Sequence, residues 1–286
     1  MLTLNLVDKN TSDIPFEVSH FPDGQQQVNL IIKSSLKEIG MITPVTIKAR
    51  LNNFTDLELI ICAVRSLRNL RFRHINLYVP YFLGSRSDRQ FAEGSNNYIK
   101  EVIAPIINNL KLDSVTVMDP HSDVLEACLN NFHKLSNVDL VKFFMEDIRF
   151  SQEIVLVSPD AGASKKIFKI AEEIDCKADI LICSKYRDEH GKLSKTMVPT
   201  STNNIDKDFV IIDDICDGGA TFINIAKAIR EDKNFNDSKI YLIVTHGIFS
   251  KGLEELKQYF ENIYCTNSYK DFIGVEDGFV KQLNVF

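Results

Sequence analysis

The stretch that most constrains the fold runs from Phe209 to Ile229. An apolar run, Phe209-Val210-Ile211-Ile212, breaks into Asp213 and Asp214 and passes through Asp217, Gly218, Gly219, Ala220 and Thr221. It resumes at helical spacing with Phe222, Ile225, Ala226 and Ile229. That pattern is strand, loop and helix. The end of a parallel strand faces the crevice where ligands sit, and the N–H groups that open the following helix suit an anion. Two carboxylates beside an anion would repel it unless they engage something else. Vicinal hydroxyls of a sugar, or a hydrated Mg²⁺, would meet that condition. The loop lacks the Lys-Ser/Thr of a P-loop and the three-glycine spacing of a dinucleotide fold.

The rest of the chain alternates strand and helix patterns. Strand-like runs at Leu2–Val7 and Val28–Lys33 flank a polar turn, Phe21-Pro22-Asp23-Gly24. A strand at Pro44–Ala49 precedes a helix from about Thr55 to Leu70, in which Leu57, Ile60, Ile61, Val64 and Leu67 keep helical spacing. Strand Ile75–Val79, helix Asn97–Leu110 and strand Ser114–Met118 follow. Later come strand Ile154–Val157, helix Lys166–Ile174, and strands at Asp179–Cys183, Val210–Ile212 and Ile240–Val244. Strands alternating with helices predict an α/β fold with mostly parallel sheets. We expect two doubly wound domains facing each other across a cleft, residues 1–147 and 148–278, with the tail 279–286 returning to the first.

The net charge of −6 argues against a chain whose main ligand is nucleic acid, so anionic substrates must be held by local cations, helix ends and metal. Six cysteines, with no C-x-x-C pair, read as reduced core residues. No charged-then-apolar leader opens the chain, and no apolar run is long enough for a membrane span. A soluble cytoplasmic protein is expected.

Several short motifs occur in a telling order. They are Phe21-Pro22-Asp23-Gly24, Pro80-Tyr81-Phe82 with Arg86-Ser87-Asp88, Asp119-Pro120-His121, Val157-Ser158-Pro159-Asp160-Ala161-Gly162, Lys185-Tyr186-Arg187, Asp213-Asp214 through Thr221, and Thr245 to Ser250. In that order, over nearly the whole chain, the sequence resembles a divergent ribose-phosphate pyrophosphokinase. The resemblance implies domains of phosphoribosyltransferase type. It also implies a diphosphoryl transfer from Mg²⁺-ATP to the C1 hydroxyl of a 5-phosphorylated ribose, releasing AMP.

By the same resemblance, His121 and Asp160 are metal contacts, and Lys185 and Arg187 stabilise the phosphoryl group in flight from a catalytic flap that covers 188–204. Period-two alternation would put those two basic side chains on one side of an extended segment. ATP falls to Phe21, Asp23, Gln25, Arg86, Ser87, Asp88 and His121, with Phe21 and Asp23 offered to a neighbouring subunit of a dimer-based, possibly hexameric, homo-oligomer. The ribose and its phosphate fall to Asp213, Asp214, Asp217, Gly218, Gly219, Ala220 and Thr221.

The chain departs from the family pattern in places. Gln25 and Ser87 stand where the family usually has Glu and Gln, and the segment after Val28 lacks the Asn-Val-Arg-Gly linked to allosteric control. Gly218 replaces a threonine, removing a hydroxyl donor and opening space beside the phosphate. A phosphodiester needs fewer donors and an exit for its second substituent. The acceptor expected is therefore either ribose 5-phosphate or a 5-substituted ribose such as ADP-ribose, the latter serving NAD salvage. A phosphoribosyltransferase, or a non-catalytic regulatory subunit of the same fold, are the alternatives. The first should lack the N-terminal motifs, and the second should have lost Lys185, Arg187 or His121.

Overall fold

A computed structural model of the chain describes residues 1–31, 42–148, 153–187, 193–272 and 278–286. Two compact units emerge, Met1–Ser136 with Val285–Phe286, and Asn137–Asn284.

The first unit holds a five-stranded parallel sheet in the order β1-β4-β5-β6-β7, formed by Leu2–Asn5, Val45–Lys48, Ile75–Tyr78, Ser114–Met118 and Phe132–Leu135. Helix α1 (Phe54–Asn69) buries Leu57, Ile60, Val64 and Leu67, the stripe that the helical spacing predicts. Asn53 starts it by accepting the amide of Asp56 at 2.9 Å. The polar turn at residues 21–24 has a different setting from the one expected. It joins β2 (Phe16–His20) to β3 (Gln26–Leu30), an antiparallel hairpin outside the main sheet. That hairpin is moored to α1, where Gln26 Nε2 donates to the Thr55 carbonyl at 2.7 Å and Ser66 Oγ to that of Val28 at 2.8 Å. Of the expected strand Val28–Lys33, β3 includes the residues through Leu30, and Ile32 and Lys33 lie outside the described residues.

The second unit holds a six-stranded parallel sheet in the order β15-β14-β13-β12-β8-β9. Its strands are β8 (Ile154–Ser158), β9 (Asp179–Ile182), β12 (Asp208–Cys216), β13 (Ile240–Gly247), β14 (Asn262–Thr266) and β15 (Val280–Leu283). Successive strand residues go to opposite faces. Val155, Phe209, Ile211, Leu242 and Ile263 accordingly enter one core with Phe222, Ile225 and Ile229 of helix α6 (Ala220–Arg230). Leu156, Val210, Ile212, Ile243 and Tyr264 enter another with α4 (Val138–Asp147) and α5 (Ala161–Glu173). A sheet buried on both faces explains the near-continuous apolar run of β12.

Two boundaries differ from expectation. The units part at 136/137 rather than at 147/148, because α4 joins the second core. There Phe144 meets Tyr264 edge-on at 4.9 Å and Tyr241 at 5.6 Å, and Tyr264 Oη donates to Asp147 at 2.6 Å. The tail also stays with the second unit through Asn284, since β15 pairs with β14. Val285 and Phe286 alone belong to the first unit, where Phe286 packs edge-on to Tyr78 at 6.1 Å.

Candidate active site

In the second sheet the strand order reverses beside β8. The chain steps from β8 outward to β9, then returns to place β12 on the other side of β8. Open parallel sheets bind ligands at the carboxyl ends of the strands that flank such a reversal. The residues leaving β8 and β12 there are Asp160 and the Asp213–Thr221 segment.

The acids are held more firmly than a loop would hold them. Strand β12 runs on to Cys216, with Asp213 paired to Val244, Ile215 to His246 and Cys216 to Gly247, so Asp213 and Asp214 stand within the sheet. The expected strand, Val210–Ile212, was too short because polar residues normally mark a strand's end. The loop proper is Asp217–Gly219, and α6 starts at Ala220.

Burial and mutual repulsion push the Asp213 carboxyl well above the ordinary carboxylate range. Loss of water contributes most and the Asp214 charge next, opposed by the Lys166 ammonium and by the Asp214 amide donating to Asp213 Oδ1 at 2.9 Å. Lys166, on α5, is half-buried. Its electrostatic reach to Asp213 is a part of the site that spacing could not reveal.

Gly219 caps α6 in the left-handed region at φ +78, and its carbonyl accepts the amides of Phe222 and Ile223 at 3.0 Å. A Cβ there would stand 3.1 Å from Leu256 Cδ2. Gly219→Ala is therefore expected to destabilise the protein by about 1–2 kcal/mol, from backbone strain plus crowding. Urea unfolding checks this through a lower midpoint at unchanged slope.

Asp160 caps α5, its Oδ1 accepting the Ala163 amide at 3.2 Å, while Ser158 Oγ donates to the Asp160 carbonyl at 2.7 Å. The helix thus begins at Ala161, ahead of the expected Lys166. The amides of the first turn sit beside the acids of β12, the next strand in the sheet.

Lys185 and Arg187 lie on β10 (Ser184–Arg187), which follows β9 and pairs antiparallel with β11 (Leu193–Met197). The register shifts between Tyr186 and Arg187. Part of the expected flap, residues 188–192, lies outside the described residues.

Thr245 to Ser250 turns out to be a brace. Strand β13 carries Thr245 and His246 into the interior, where His246 Nδ1 lies 2.8 Å from Ser268 Oγ, and Thr266 Oγ1 donates to the Thr245 carbonyl at 2.6 Å. The turn beyond it grips the sugar-phosphate loop. Ile248 and Phe249 donate to the Cys216 carbonyl at 2.9 and 3.1 Å, and Ser250 to that of Asp217 at 3.1 Å. Cys216 is fully buried, and burial with the Asp213 and Asp217 charges pushes its thiol far up, so it is no nucleophile.

The ATP-side residues fall in the first unit. Phe21 is 46 % exposed at the β2–β3 hairpin tip; Asp23 there accepts the Gln25 amide at 3.2 Å, and the Phe21 amide closes onto the Gln25 carbonyl at 2.9 Å. Arg86, Ser87 and Asp88 follow β5, where Ser87 donates to Gly84 at 2.7 Å and the Asp88 carbonyl accepts Asn97 Nδ2 at 2.6 Å. His121 is exposed and follows β6, the neighbour of β5. Both groups thus leave the carboxyl ends of adjacent strands. Among the described residues no three His, Cys, Asp or Glu side chains converge to cage a metal.

A family model for the phosphoribosyl transferase domain matches residues 131–273. A ribose-phosphate pyrophosphokinase of Mycoplasmopsis pulmonis is 27% identical over 257 residues, which cover 88% of this chain and 76% of the relative. Its counterpart in Pyrococcus furiosus is 27% identical over 258 residues, covering 88% and 85%. Among solved structures, a phosphoribosylpyrophosphate synthetase from Mycobacterium smegmatis has the same fold, with a TM-score of 0.77 over 96% of this chain and 88% of that one, at 16% identity.

Proposed function

The chain belongs to the phosphoribosyl transferase domain family, and from that premise we propose that it is a pyrophosphokinase acting on Mg²⁺-ATP and ribose 5-phosphate. The observation that carries the reading is the placement of Asp213, Asp214 and the Asp217–Thr221 loop at the strand reversal, in a chain whose near-full-length relatives are ribose-phosphate pyrophosphokinases. Carboxylates there accept the ribose 2- and 3-hydroxyls, and the amides at the start of α6 with the Thr221 hydroxyl hold the 5-phosphate.

The C1 hydroxyl oxygen forms a bond to the β-phosphorus of ATP, the bond from that phosphorus to the α,β-bridging oxygen breaks, and the electron pair leaves on AMP. The hydroxyl proton goes to solvent. Such transfers depend on alignment and on charge neutralisation. Lys185 and Arg187 supply positive charge to the group in transit, and Arg86 to the rest of the triphosphate. Mg²⁺, when bound, would supply positive charge to offset that of the phosphates. His121 in the first unit and Asp160 in the second are each an oxygen- or imidazole-bearing side chain that would suit such an ion. Phe21 at its exposed hairpin tip is suited to stack on adenine, including that of a neighbouring subunit in a homo-oligomer. The six cysteines, all free, fit a reducing cytoplasm, and among the described residues no helix is long and apolar enough to cross a membrane.

ADP-ribose is the second acceptor to consider, because Gly218 offers no side chain to the phosphate. The test is AMP formation from Mg²⁺-ATP with each acceptor, products identified by mass. AMP and a pyrophosphorylated pentose are expected with ribose 5-phosphate. AMP with ADP-ribose alone would move the chain to that second reading, and AMP with neither would overturn the proposal.

A further inference from the structure

The turn that braces the sugar-phosphate loop also brings a cation to it. Lys251 follows Ser250, whose amide donates to the Asp217 carbonyl, so its backbone is set in register with the loop. Its Cδ and Cε both stand 3.4 Å from where a Gly218 Cβ would be, with Cγ at 3.6 Å. The aliphatic stem therefore lies along the bare backbone of Gly218, in the space that the missing side chain leaves. The ammonium is one bond beyond Cε, within reach of that same loop.

Lys251 makes no ion pair among the described residues, and two acids that follow it in the chain pair with other lysines, Glu254 with Lys257 at 3.8 Å and Glu255 with Lys227 at 3.9 Å. Lys251 is exposed, so the charge costs little to keep ready.

We infer that Lys251 is a specificity-determining residue that holds the terminal phosphate of the acceptor and selects a phosphomonoester over a diester. The inference rests on the pyrophosphokinase reading for its reaction, but on Gly218 and Lys251 for its geometry. A monoester carries roughly two negative charges near neutral pH where a diester carries one, so a fixed ammonium favours the former. The space beside Gly218 is thus occupied by a cation's stem rather than left as an exit for a second substituent.

The variants are Lys251→Met, which keeps a stem to lie on Gly218 without the charge, and Lys251→Arg, which keeps the charge. With Lys251→Met the KM for ribose 5-phosphate is expected to rise roughly tenfold, with kcat and the KM for ATP nearly unchanged and the thermal midpoint intact. Lys251→Arg should restore most of the loss. Titration calorimetry with ribose 5-phosphate should show the same weakening without turnover. An unchanged KM and affinity in Lys251→Met, while the wild type makes AMP, overturns the role of Lys251 and leaves the activity standing. A wild type that binds ribose 5-phosphate through Lys251 but makes no AMP overturns the pyrophosphokinase reading alone. A wild type that does neither overturns both.

Discussion

Replacing Lys185 by alanine is expected to lower kcat for AMP formation by roughly 100- to 1000-fold while leaving the KM values for ATP and ribose 5-phosphate within a few-fold. A cation that meets charge only as the diphosphoryl group moves contributes little to the ground state and much to the transition state. The position fits that role. Strand β10 leaves β9 directly, on the sheet's carboxyl side, and is held by pairing Lys185 with Thr196 and Arg187 with Leu193. Lys185 and Arg187 lie two residues apart on β10, and each is expected to offer its own charge. Lys185→Ala and Arg187→Ala should then lower kcat by amounts that combine rather than by one shared step. Steady-state kinetics on the single and double variants decide it. A kcat equal to wild type in Lys185→Ala removes that residue from the transition state.

Asp213→Asn is expected to have two opposite effects, firmer folding and lost sugar binding. The folded Asp213 carboxyl holds its proton to higher pH than it would in the unfolded chain, because burial and the Asp214 charge oppose ionisation. Between those two pKa values the native state binds more protons, so stability falls as pH rises across the interval. At neutral pH the amide, which carries no charge, should be more stable than wild type by about 1–2 kcal/mol. The downward slope of stability with pH should flatten in parallel. The same change replaces a carboxyl acceptor for the ribose hydroxyls, and the KM for ribose 5-phosphate should rise roughly 10- to 100-fold. Denaturant midpoints across a pH series, paired with kinetics, test both effects. A variant less stable than wild type at every pH would show that the Asp213 charge is fully compensated in the free protein.

Much of the architecture was legible because it is local. The stripe of α1, the strands Ile75–Tyr78 and Ser114–Met118, and the strand-loop-helix at Phe209–Ile229 each declare themselves within a few residues of sequence. What stayed hidden depends on distant partners. Strand β14 is short, its polar ends mask the pattern, and it exists because β13 and β15 flank it. Helix α4 does not declare itself in the sequence because Phe144 acquires its partners, Tyr241 and Tyr264, only when the sheet forms. Strand β2 gives a weak signal because two of its five residues are a serine and a histidine facing solvent. The site divides in the same way. Its acids and glycines are contiguous and could be read, whereas the Lys166 charge at Asp213 and the Lys251 stem on Gly218 join residues far apart in the chain.

The extension of β12 through Cys216 has a thermodynamic consequence for the sugar. Asp213 and Asp214 are immobilised by the ladder that forms when the chain folds, with β13 on one side and β8 beginning the other. The conformational entropy of ordering these acceptors is therefore spent at folding and not again at each encounter. Ribose should bind this strand with a small heat-capacity change and an enthalpy set by its hydroxyls, as to a surface already in its bound shape.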